Sequence, residues 1–133
     1  MSAKFTLLPM DKLNKLSYDV GGAAFNVHNH LGPGLLESIY TVCLIDEMVD
    51  KGLIVESEVS LPVTYKGKKL DKGMKIDILV ENALIVEVKA VETLTPIHLA
   101  QTLTYLKLSG LKLGLLINFN TTDINKSIKR VIN

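Results

Sequence analysis

From Asp11 to Leu31 the apolar residues Leu13, Leu16, Val20, Ala24, Val27 and Leu31 recur every three or four positions, the spacing of one helix face. Leu31-Gly32-Pro33-Gly34 ends that pattern, because proline removes a backbone donor and glycine admits dihedrals closed to other residues. A second helical pattern runs from near Gly34 to about Lys51. It places Leu36, Ile39, Tyr40, Cys43, Leu44 and Met48 on its buried face and Gly52 at its stop. The period then shortens to two: Ile54 to Tyr65 alternates as a strand, and Lys66-Gly67-Lys68 reads as a turn. Met74 to Glu81 and Ala83 to Val91 are β-branched-rich runs meeting around Asn82, the pattern of an antiparallel hairpin. Thr95-Pro96 opens a helix from Ile97 to Leu108 that Ser109-Gly110 closes, Leu113 to Phe119 reads as a buried strand, and a short helix from Asp123 to Val131 ends the chain. The expected order is α-α-β-β-β-α-β, an α/β fold with a mixed central sheet and helices on both faces.

The central hairpin carries the candidate chemistry. With Glu81-Asn82-Ala83 as a three-residue loop, Val80 pairs with Leu84 and Asp77 falls opposite Glu87. One face then holds Ile76, Ile78, Val80, Leu84, Val86, Val88 and Ala90, and the other holds Asp77, Leu79, Ile85, Glu87 and Lys89. A slip of one residue would scatter the apolar set, so the pattern selects this register. Facing side chains stand about 4.5–5.5 Å apart at their β-carbons, which gathers two carboxylates and an ammonium on a face that also carries buried-type residues. Like charges in a partly dry site raise each other's pKa unless a cation compensates them. Lys89 compensates one charge, and a divalent ion would compensate the rest; an oxygen-only donor set suits Mg²⁺ or Mn²⁺ rather than zinc. A structural Asp/Glu/Lys ion-pair cluster is the alternative.

Composition narrows the setting. The chain has 133 residues, 47% of them hydrophobic and 22% charged, ordinary values for a globular domain of one core, so residues 1–133 are expected to form a single domain. One cysteine, Cys43, excludes a disulfide framework and a cysteine-rich zinc site and suits a reducing compartment. The opening MSAKFTLLPMDK has an apolar patch that Asp11 and Lys12 end too early for a signal peptide or membrane span, so a cytoplasmic protein with no membrane partner is expected. The net charge of +1 gives no global attraction to nucleic acid. Lys66, Lys68, Lys69, Lys72 and Lys75 nevertheless cluster on a hairpin expected to lie beside the site, and Arg130 is the one arginine. That balance argues against sequence-specific readout of duplex bases and favours weak, salt-sensitive phosphate contact.

Asp77 followed by Glu87-Val88-Lys89 resembles the D...(D/E)XK signature of the PD-(D/E)XK nuclease superfamily. The stretch Gly32-Pro33-Gly34-Leu35-Leu36-Glu37-Ser38-Ile39-Tyr40, with Phe25 to His28 before it and Leu111 to Asn120 and Lys129 to Val131 after it, is similar to the GxxExxY family within that superfamily. The resemblance implies a metal-dependent nuclease acting on phosphodiester bonds of DNA or RNA. Asp77 and Glu87 would hold Mg²⁺ or Mn²⁺, Lys89 would orient the attacking water, Glu37 would add a third carboxylate, and Gln101 with Tyr105 would match the QxxxY motif of exonuclease-type members. Ile76 stands where the superfamily's proline would precede the Asp.

Blander roles stand beside these. Glu37 could cap its own helix start, Tyr40 could simply pack, and Gln101 and Tyr105 could be a solvent-facing pair one turn apart. His98 shares their face as a surface or phosphate contact. A catalytically inactive nucleic-acid- or protein-binding module on the same fold is the alternative function. With so little net charge, a nuclease would depend on a homodimer or a protein partner for affinity.

Overall fold

The structure is a computed structural model that describes residues 4–133; residues 1–3, at the start of the segment read against a signal peptide, lie outside the described residues. Its elements are α1 (Met10–Leu31), α2 (Glu37–Asp50), β1 (Val55–Tyr65), β2 (Lys68–Val80), β3 (Leu84–Lys89), α3 (Pro96–Ser109), β4 (Leu113–Asn118), a 3₁₀ turn (Ile124–Ser127) and β5 (Ile128–Ile132). The strands form one sheet in sequence order. Only β3 and β4 run parallel, because the α3 crossover returns the chain to its starting end. Among the described residues no helix is long and apolar enough to cross a membrane.

Two apolar layers sandwich the sheet. Leu13, Val20, Leu44 and Met48 of α1 and α2 pack on Ile78, Val80, Leu84, Val86 and Val88. On the opposite face Tyr105 and Leu106 of α3 pack on Leu79 and Ile85. The hairpin register matches the sequence pattern, with Val80 against Leu84 and Ile78 against Val86. Glu81 and Asn82 take left-handed conformations in the loop, a state an asparagine accepts more readily than a glutamate.

The structure corrects four expectations. The second helix starts at Glu37, not Gly34: the Tyr40 hydroxyl donates to Gly32 O at 2.6 Å and accepts from Leu35 N at 3.1 Å. Its ring stacks on Phe119 with centroids 4.7 Å apart, which pins the intervening turn outside the helix. Tyr40, Leu44 and Met48 form the buried line, so Leu36, which precedes the helix, is 69% exposed and Ile39, about 100° off that line, is 40% exposed.

At the chain end the expected helix is the 3₁₀ turn plus strand β5, as Asp123 caps only a short turn by accepting from Asn125 N. Ile128, Val131 and Ile132 are β-branched and favour the open edge of β4. Strand β2 also starts at Lys68 rather than Met74, so β1 and β2 form a long arm closed by Lys66 and Gly67. Both of these residues have positive φ, which makes the two-residue turn that matches strand twist. Gly73 is required there, since a β-carbon would lie 2.7 Å from Leu61 O.

The fourth correction concerns Ile76. Strict alternation puts it with Ile78, yet it packs with Val59, Leu61 and Tyr105 on the α3 side, while Val55, Ile78 and Val80 stay on the α1/α2 side. The switch occurs at Glu58 and Asp77, where the β1–β2 pairing passes from Ser57↔Ile78 to Val59↔Ile76 and Glu58 is forced to φ 50°. The distal arm therefore curls over the α3 face.

Candidate active site

Regular pairing between β2 and β3 stops at Ile78 and Val86, and two carboxylates take over the next bonds. Asp77 N donates to Glu87 Oε2 at 2.8 Å, and Val88 N donates to Asp77 Oδ2 at 3.0 Å. Each side chain thus fixes the other's strand, so the hairpin splays without stranding its buried amides. Strand β3 meanwhile stays paired with β4 through Lys89 and Asn118. The pair sits on the α3 face, and Glu87 is only 3% exposed.

Charge-assisted hydrogen bonds contribute roughly 1.5–3 kcal/mol each, whereas desolvating an ion costs several kcal/mol; burial therefore wins. Burial first, then the neighbouring Asp77 charge, pushes Glu87 up to about 8, against the opposing pull of the Asp77 amide and Lys89, with Glu37 adding a smaller upward push. Burial also raises Asp77, opposed by the Val88 amide and Lys89 and assisted by Glu58. Tyr105 is pushed up to about 12 by burial and then by Glu87 and Asp77, so its phenol is a permanent donor in the site's wall.

The sequence-derived residues fare differently. Asp77, Glu87 and Lys89 come together as expected. Glu37 opens α2 without capping it, and its charge reaches Glu87. Tyr105 is 5% exposed and faces the carboxylates rather than solvent, while Gln101, one turn earlier and half-buried, makes no hydrogen bond to them. His98 is engaged at the start of α3, its Nδ1 accepting from Thr95 N at 3.0 Å. The basic lysines are all exposed. Lys75 is two residues from Asp77, but Lys66, Lys68 and Lys69 lie at the arm's tip, seven ladder steps from Asp77 or about 23 Å at the rise of an extended strand, and so are not beside the site.

Three features escaped the sequence reading. Asn118 accepts from Val91 N at 3.0 Å and donates to Val91 O at 2.9 Å, and Phe119 N donates to Lys89 O at 2.9 Å; together they fix the backbone around Lys89. The signal was an asparagine closing the apolar run Leu113 to Ile117. The Tyr40 hydroxyl clamp is invisible in a helical period. Glu58 gives no signal, since it occupies an outward position in an alternating strand.

Among the described residues no three His, Cys, Asp or Glu side chains are placed to hold a metal ion by themselves. The donor chemistry nevertheless fits Mg²⁺ or Mn²⁺. Asp77 Oδ2 and Glu87 Oε2 are used by backbone amides, while Oδ1 and Oε1 have no protein donor and are not sealed from solvent. Mg²⁺ is commonly held by one or two carboxylates, with waters and substrate phosphates completing its shell.

No curated protein and no solved structure matches the chain. The family model of the PD-(D/E)XK nuclease superfamily matches residues 14–131, a span that includes the glycine turn, both carboxylates, Lys89 and all but the last residue of β5, and the chain belongs to that superfamily.

Proposed function

We propose that the protein is a divalent-metal-dependent nuclease of the GxxExxY kind that hydrolyses phosphodiester bonds of DNA. The observation that carries this reading is the reciprocal bonding of Asp77 and Glu87 across a splayed hairpin on a buried face. A scaffold has no use for two carboxylates there, since apolar residues would cost less. Asp77 Oδ1 and Glu87 Oε1 would hold the ion, with waters and substrate oxygens completing its shell and Glu37 adding negative charge from α2 rather than a third ligand. A bound Mg²⁺ or Mn²⁺ would lower the pKa of water and offset charge at the phosphoryl group. Lys89, half-buried at the end of β3, would orient the attacking water and meet the charge that develops on the phosphate. Tyr105 would donate a hydrogen bond to a phosphate oxygen and, with Gln101 one turn away, place the scissile strand against β3.

The test is cleavage of supercoiled DNA, single-stranded DNA and RNA by purified protein with Mg²⁺, Mn²⁺ or chelator. Asp77→Asn and Glu87→Gln should abolish metal-dependent cleavage while remaining folded. Failure of the wild type to cleave any of the three, with nucleic-acid binding intact, would replace the nuclease with a binding module.

A further inference from the structure

We infer that the β1–β2 arm is a phosphate-tracking clamp for double-stranded nucleic acid, and that it makes the chain require a duplex of about seven base pairs for tight binding. Residues 59–76 contain five lysines and one acid, Asp71, a charge of +4 in a chain whose total is +1, so the remainder carries −3. Affinity for a polyanion must therefore be concentrated on the arm. The arm is also aimed: the switch at Glu58 and Asp77 turns Val59, Leu61 and Ile76 onto the α3 side, the face on which Asp77, Glu87 and Tyr105 lie. Between the arm and α3 runs a groove of about 500 Å³ with Pro62 and Thr64 in its lining and a lysine on either wall, Lys69 from the arm and Lys107 from α3.

The duplex is favoured over a single strand by what the arm lacks. Single-strand binders need aromatic faces for bases, and the exposed aromatics are Tyr18, Phe25 and Tyr65. The first two are on α1, across the sheet, and the Tyr65 ring already has the Lys66 ammonium 5.4 Å from its centroid. Lysines without arginines contact phosphates and read no base edges. The span sets the length: the β1–β2 ladder runs seven steps from Glu58, opposite Asp77, to Tyr65, opposite Lys68, about 23 Å, which equals about seven steps of 3.4 Å along one strand. This inference rests on the nuclease reading only for what is delivered to Asp77 and Glu87.

The experiment measures binding in chelator, where no cleavage occurs, by anisotropy of labelled stems of 6 and 12 base pairs, a 24-base-pair duplex and a single-stranded 24-mer. For the wild type, affinity should rise steeply from 6 to 12 base pairs, and the duplex should bind at least about tenfold tighter than the single strand. The triple variant Lys66→Glu/Lys68→Glu/Lys69→Glu should bind the 24-base-pair duplex at least about tenfold more weakly, lose the length dependence, and show a salt slope shallower by about three. The neutral Lys→Gln triple gives a smaller loss in the same direction if the charge-reversed chain does not fold. Equal affinities and salt slopes for wild type and variants, or a single strand bound as tightly as duplex, would overturn the clamp. Loss of cleavage in the preceding test with the arm's length dependence intact would instead remove the nuclease and leave the clamp.

Discussion

Strands β2 and β3 present two faces built from alternate residues. Ile78, Val80, Leu84, Val86 and Val88 meet α1 and α2 with no polar group among them, whereas Asp77 and Glu87 meet α3 among Leu79, Ile85 and Tyr105. The first face is explained by folding, since each side chain is removed from water at about 25 cal/mol per Å² gained. The second face opposes folding once its carboxylates ionise. Alternate residues of one hairpin thus give one surface that stabilises the chain and one whose carboxylates, Glu87 buried and Asp77 half-buried, oppose it when charged.

The contrast can be broken from either side. Leu84→Ala on the apolar face should cost about 2–5 kcal/mol, read by denaturant unfolding. Glu87→Gln should act in the opposite direction, with a sign that depends on pH. The folded chain holds the Glu87 proton up to about pH 8, against 4.5 for an ordinary glutamate, so its contribution is fully present below about pH 4.5 and is lost as pH rises through 8. Without divalent metal, wild-type stability should fall across that window by up to about 5 kcal/mol. Glu87→Gln should flatten the profile and melt higher than wild type at pH 9, while the two converge near pH 4.5. Equal pH profiles would remove the stored charge from the explanation.

Smaller changes probe how the site is held. Tyr40→Phe keeps the stack on Phe119 but removes both hydrogen bonds of the glycine turn. It should cost about 1–2 kcal/mol and raise amide exchange at residues 32–36 ahead of global unfolding. His98→Ala removes the acceptor for Thr95 N and should cost about 0.5–1 kcal/mol, a shift visible in thermal melts. If His98 also touches phosphate through Nε2, the same variant would lower nucleic-acid affinity beyond that small change.

Much of this organisation was legible because it follows from period. The hairpin register follows from apolar alternation, which allowed only one pairing of Asp77 with Glu87, and α3 is framed by Pro96 and Gly110 at its two ends. Features that depend on contacts far apart in sequence were not legible. The start of α2 is set by Tyr40 reaching back to Gly32, and the fate of Ile128 to Ile132 by the vacant edge of β4. The face switch at Glu58 was hidden for a different reason: a left-handed glutamate carries no compositional mark, and period-two patterning assumes a continuous pleat. The lysine arm was visible as charge, but its distance from the site depended on extending β2 back to Lys68 through residues of poor strand propensity.

The most direct measurement is thermal melting of wild type and Glu87→Gln at pH 8.5, each in chelator and with Mn²⁺. In chelator Glu87→Gln should melt higher than wild type, and Mn²⁺ should raise the wild-type melting temperature while leaving the variant nearly unmoved. A wild type indifferent to Mn²⁺, together with a Glu87→Gln chain that melts lower in chelator, would show that the carboxylate pair is a structural ion cluster and contradict its role as a metal site.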